Sequence, residues 1–230
     1  MRRNRGFTLI EMMIVVAVIS ILATLAFSWM RAARRNAGVA AISYELEMRV
    51  DQLPFVALSE QTDQLLVIAD VPNNDAAECG SILSAGCARV FHLRGPAAAW
   101  RLQDFDVGAP GANVAAIVDE ERLGQGVRFH LAAAGAALPS PFNAFSATFE
   151  VFDDDLVADC AGNRKCVAYR FRANGRVAAE PPDPAAPPTA LKSGHAIALG
   201  SELTGEYRGA RQVGVLVALP SGIARTFAVP

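Results

Sequence analysis

The sequence predicts an α+β fold, with one long N-terminal α-helix laid against antiparallel β-sheet. Three observations predict it. An uncharged run from Met12 to Met30 leads into apolar residues at helical spacing as far as Leu53. Beyond Phe55 the chain changes character, and short apolar runs alternate with Gly, Pro, Asp and Asn, the punctuation of strands and turns. With 230 residues, 52% of them hydrophobic and 19% charged, the chain suits one packed domain plus an added apolar element, and is short for two domains.

The chain opens Met1-Arg-Arg-Asn-Arg-Gly6 and continues Phe7-Thr-Leu-Ile-Glu11 into the uncharged run. The 19 residues from Met12 to Met30 rise about 28 Å as a helix, which matches a bilayer core. Arg2, Arg3 and Arg5 before the run and a long body after it predict a cytoplasmic N-terminus and an exported body. A conventional secretory signal would be cut near Thr24–Ala26, and a plain anchor would carry no charge. Neither accounts for Glu11, because an unpaired carboxylate inside lipid costs several kcal/mol. Past Met30, the residues Val39, Ile42, Leu46, Val50 and Leu53 form one apolar stripe, with Arg31, Arg34, Arg35, Glu45, Arg49 and Asp51 largely off it. At i,i+4 spacing, Glu45 attracts Arg49 and Glu47 weakly repels Asp51. Pro54 is expected to end the helix, since the residue before proline avoids the α conformation. One helix from about Thr8 to Leu53 follows.

The run Gly6-Phe7-Thr8-Leu9-Ile10-Glu11, followed by an apolar segment, resembles the prepilin signature shared by type IV pilins and the pseudopilins of type II secretion. The resemblance implies a pilin-like fold. It also implies that a prepilin peptidase cuts between Gly6 and Phe7 and methylates the amine of Phe7. Glu11 then meets the N-terminal amine of a neighbouring subunit during assembly. Elementary chemistry agrees, since a carboxylate in lipid needs a cation and glycine gives a protease side-chain-free access to the backbone. The chain departs from many members in having no helix-bending proline between Ser20 and Trp29. The expected organisation is a cytoplasmic leader (1–6), a transmembrane and assembly half-helix (7–30), an amphipathic half-helix (31–54) and a periplasmic β-rich domain (55–230). The partners implied are the prepilin peptidase, other pilin or pseudopilin subunits in a filament, and the inner membrane.

In the body, the predicted strands are Leu65–Val71, Arg89–Leu93, Ala99–Phe105, Ala115–Val118, Val127–Leu131, Ala147–Phe152, Val167–Arg172, Ala196–Leu199, Gln212–Leu219 and Ile223–Val229. Val127–Leu131 and Val167–Phe171 alternate as if one face were buried. Pro220-Ser221-Gly222 predicts a C-terminal hairpin, and the proline-rich stretch Ala178–Pro188 an exposed, extended loop. Tyr169–Val177, Ile197-Ala-Leu199 and the final hairpin resemble the GspH/FimT family of minor pilins, in which the anchor helix packs on antiparallel sheets. That resemblance implies a subunit of a type II secretion or type IV pilus filament. The alternative within it is a FimT-like minor pilin that captures DNA through a basic C-terminal end.

The remaining chemistry is sparse. The formal charge is −2, and without the three leader arginines the chain carries 18 basic against 23 acidic residues, a net −5. A body of that sign suits nucleic acid poorly, and Arg208, Arg211 and Arg225 are too few to grip DNA against salt, so nucleic acid is not an expected partner. The cysteines form two close pairs, Cys79/Cys87 and Cys160/Cys166, spaced too widely for the usual zinc ligand pairs. Two short-loop disulfides in an oxidising compartment are expected, with reduced core cysteines the alternative. Asp153, Asp154, Asp155 and Asp159 are a weak calcium candidate without the spacing of a known calcium loop. His92, His130 and His195 are scattered, while Ser140 and Ser221 lie in Pro/Gly turns with no paired base. No enzyme, metal or cofactor is expected.

Overall fold

The computed structural model describes residues 9–71, 86–98, 100–123, 127–130, 149–151, 158–161, 164–180, 194–201, 212–219 and 221–229. It has the α+β architecture the sequence predicts. A helix α1 (Leu9–Glu60) is followed by strands β1 (Gln64–Val71), β2 (Cys87–Pro96), β3 (Val114–Leu123), β4 (Val127–His130), β5 (Phe149–Val151) and β6 (Ala158–Cys160). The rest are β7 (Arg164–Phe171), β8 (Val177–Ala179), β9 (Gly194–Ser201), β10 (Gln212–Ala218) and β11 (Ala224–Val229). Six strands form one sheet in the order β3-β2-β1-β7-β6, with β8 also on β7. Five form the second, β11-β10-β9-β4, with β5 also on β9. Every pairing is antiparallel except the short β5–β9 contact.

The first sheet is covered on both faces, because β1 is apolar on both. Leu66 and Ile68 point into a core shared with Val39, Leu46, Val50, Leu53 and Ala57 of α1, with Val167, Tyr169 and Phe171 of β7, and with Val215, Val217 and Ala224 of the second sheet. Leu65, Val67 and Ala69 point the other way, into a separate core closed by Trp100, Leu102, Phe105 and Val107. There the Phe91 and Phe105 rings meet edge to face at 5.2 Å, and the Arg89 guanidinium lies 4.9 Å from the centre of the Phe91 ring.

Four expectations are corrected. The helix does not stop at Leu53 but continues through Pro54 to Glu60, so the boundary between helix and β-rich body falls six residues later than expected. Proline removes one backbone hydrogen bond there, and burial of Leu53 and Ala57 on either side of it outweighs that loss. The segment 99–105 contains no strand among its described residues: Leu102–Asp104 is a single 3-10 turn, and Leu102 with the flanking Trp100 and Phe105 lids the second core. In Val167–Phe171 both Ala168 and Tyr169 are buried, on opposite faces, so the strand is not one-sided. Ala178 and Ala179 belong to β8 rather than to a loop; the prolines from 181 to 188 lie outside the described residues.

The C-terminal hairpin forms as expected, with Val217 opposite Ala224 and the Gly222 amide donating to the Ala218 carbonyl at 2.8 Å. Gly222 is required there on two counts. Its φ is +75°, and a Cβ would lie 2.5 Å from Val177 Cγ2 and 3.1 Å from Pro54 Cγ. Gly222→Ala is therefore expected to destabilise the folded body by about 2 kcal/mol, read as a lower denaturation midpoint at unchanged m-value.

Candidate assembly helix and its seat

At 52 residues, α1 is about 78 Å long, and among the described residues its buried side chains lie in the second half, from Val39 onward. From Leu9 to Ala26 it carries a mean hydropathy of 2.6 with no residue buried, and it is long and apolar enough to cross a membrane. Leu9, Ile10, Met12, Met13, Ile14 and Val16 are all more than half exposed. Such a surface is stable only against lipid or other apolar helices. Within it Ser20 donates to the Val16 carbonyl and Thr24 to the Ile21 carbonyl, so their hydroxyls are satisfied by the helix itself. Glu11 sits on the helix surface near the start of this segment, in its first turn. Gly6 and Phe7 lie outside the described residues.

The second half is seated by packing and by charge. Val39, Leu46, Val50 and Leu53 are buried as the periodicity predicts, and Ala57, beyond the expected helix end, continues the stripe. Ile42 is only partly buried, and the position beside it is taken by Ser43, which is fully buried and donates to the Val39 carbonyl at 2.8 Å. On one flank Arg49 bridges to Asp119 at 2.9 Å and to Glu121, both on β3, and reaches Glu45 at 3.5 Å. Burial raises the Glu121 pKa above its ordinary value, with Arg49 opposing the rise.

On the other flank Glu47 and Asp51 do something the i,i+4 spacing did not suggest. Glu47 accepts from the Thr226 amide at 2.9 Å and Asp51 from the Ala224 amide at 2.7 Å. These carboxylates thus take up N–H groups on the outer side of β11, the last strand of its sheet, which would otherwise offer a pairing edge. Arg225 Nη1 lies 3.3 Å from Asp51 and 3.6 Å from Glu47, so the cation offsets their mutual repulsion. The sequence signal was there in two acids on the border of an apolar stripe, but only the fold supplies the amides. Of the three C-terminal arginines, Arg225 is thus engaged by the helix; Arg208 and Arg211 lie outside the described residues.

Cys160 and Cys166 form a disulfide across the β6–β7 turn, with Cα atoms 5.9 Å apart. Cys87 is disulfide-bonded too; its predicted partner Cys79 lies outside the described residues. Cys87 stands opposite Val71 and Cys166 opposite Ala69, so the two bridges flank β1 from either side. Asp153, Asp154 and Asp155 lie outside the described residues, and Asp159 stands opposite Lys165 in the β6–β7 pairing. Among the described residues no group of three potential ligands converges on a metal position. His92 Nε2 donates to Gln64 Oε1 at 3.0 Å, and Gln64 in turn donates to Glu60 at the end of α1. Burial lowers the His92 pKa, against the pull of Asp119 and Glu60. Ser221 Oγ donates within its own turn to the Ala218 carbonyl. The side chains of His130 and His195, and all of Ser140, lie outside what is described.

The geometry is thus an exposed apolar half-helix, long and apolar enough to cross a membrane, continued by a half seated on a β-rich body. A family model described as the prokaryotic N-terminal methylation motif matches residues 1–27, the leader and the first half of the helix. The chain therefore carries a type IV prepilin-like leader, which implies processing by prepilin peptidase and assembly with other pilin subunits. No curated protein and no solved structure matches.

Proposed function

We propose that this chain is a minor pilin or H-type pseudopilin of the GspH/FimT kind, a structural subunit of a type II secretion or type IV pilus filament and not an enzyme. The observation that carries the reading is the leader match at residues 1–27 on a helix whose first half has no body to cover it. The N-terminus lies in the cytoplasm and the body in the periplasm, a placement supported by the prepilin-like leader ahead of the span and by the disulfides of the body, which are stable in an oxidising compartment. Prepilin peptidase cuts between Gly6 and Phe7 and methylates Phe7, and Glu11 pairs with the amine of a neighbouring subunit. The β-rich body supports a structural role: His92 and Ser221, two of the residues with chemical potential, serve packing and a turn.

Intact-mass measurement of the protein taken from its native membrane tests this. The expected species lacks residues 1–6 and carries one added methyl group on Phe7. An N-terminus near Phe27 would establish a conventional signal peptide and remove the assembly reading with it.

A further inference from the structure

Between Glu11 and Glu45 the only charged residues are Arg31, Arg34 and Arg35. From residue 36 onward the chain has 15 basic against 22 acidic residues, a net −7. The three arginines are therefore an isolated positive group between an uncharged span and an acidic body. Their height is fixed because α1 is one unbroken helix from Leu9 to Glu60, and Val39 is its first buried side chain among the described residues. Arg31 follows the last residue of the uncharged run, and Arg35 stands about 6 Å further along the axis. The headgroup layer on each side of a bilayer is about 5–7 Å thick, so all three positions fall within it. At 100° per residue they occupy roughly 100° of the helix circumference, a single side. Trp29, at the border of the run, is the residue type enriched at membrane–water interfaces.

We propose that Arg31, Arg34 and Arg35 form a collar that binds the anionic phospholipid headgroups of the leaflet on the body's side. An anionic surface repels a body of net −7, and a basic collar beneath it holds the helix at one depth regardless. The leader arginines are lost on cleavage, whereas this group stays with the mature chain. The inference rests on the membrane-anchored reading of α1 and is independent of filament type.

Trp29 provides the probe. The full-length chain is reconstituted in phosphatidylcholine bilayers containing phosphatidylglycerol, with one or the other lipid brominated high on its acyl chains. The second tryptophan, Trp100, is 5% exposed inside the body and supplies a constant background. At equal mole fraction, brominated phosphatidylglycerol is expected to quench Trp29 several-fold more effectively than brominated phosphatidylcholine. The preference should shrink in roughly 0.5 M salt. It should vanish in the triple Arg31→Gln, Arg34→Gln, Arg35→Gln variant, whose insertion is checked by resistance to alkaline extraction. Inorganic phosphate should not reduce it more than chloride at matched ionic strength. Equal quenching by the two lipids in the unaltered chain overturns the collar, as does a preference that survives in the triple variant. An unaltered chain washed out of the vesicles is a different result, overturning the anchor reading and the collar together.

Discussion

Glu11→Ala is expected to reduce recovery in sheared or purified filaments at least about tenfold, while membrane insertion and cleavage after Gly6 proceed as in the unaltered chain. The apolar segment becomes longer, so anchoring gains, and the cut site is untouched. What disappears is the carboxylate that exchanges two costly charges in lipid for one ion pair when the amine of a neighbour reaches its depth. A loss of only 1.4 kcal/mol per subunit contact is already tenfold. Glu11→Gln should be nearly as poor, since it keeps the shape and loses the charge. Counting each variant in membrane and filament fractions separates anchoring from assembly. Normal filament entry by the alanine variant would show that Glu11 is a tolerated passenger.

Leu46→Ala is expected to cost the body about 3 kcal/mol, whereas Met48→Ala, two residues along the same helix, should stay within about 0.5 kcal/mol. Leu46 is 2% exposed between α1 and the two sheets; Met48 is 60% exposed on the opposite side. Urea titration of both variants reads the difference. Equal effects would mean that α1 is held by its charged flanks rather than by its apolar seat.

Those two positions also show how much was legible. The stripe from Val39 to Leu53 could be read because a helix repeats every 3.6 residues and this one buries a single side. The leader and Glu11 could be read because a charge in an apolar run has few explanations. Strand positions with both faces buried were harder. The stretch Leu65–Val71 is legible as a strand, yet nothing local says that both of its faces are buried or what lies on the second. The answer is a lid from Trp100 to Val107, most of it within Ala99–Phe105, whose closely spaced apolar residues read as a strand. The strands β6 and β8 are three residues each, too short to display a period. The helix end was misplaced because local proline chemistry was weighed without Ala57, whose burial depends on tertiary packing. The contacts of Glu47 and Asp51 with β11 span 179 and 173 residues, beyond any local rule.

That last separation has a temporal meaning. The ribosome makes α1 first and the strands that seat it, β9 to β11, last. At about 5–20 residues per second, Glu47 waits roughly 10–35 s for the amide of Thr226 to be synthesised. The inner strand β1 waits similarly for β7, about a hundred residues later. Contacts of such long range make folding slow, and through that interval Leu46, Val50 and Leu53 lack the part of their seat that the second sheet provides. The newborn chain is thus a half-seated amphipathic rod trailing an unfinished body, the state in which it is most open to capture by a chaperone or to aggregation. Once β11 arrives, the carboxylates that waited close the sheet edge that would otherwise recruit another chain.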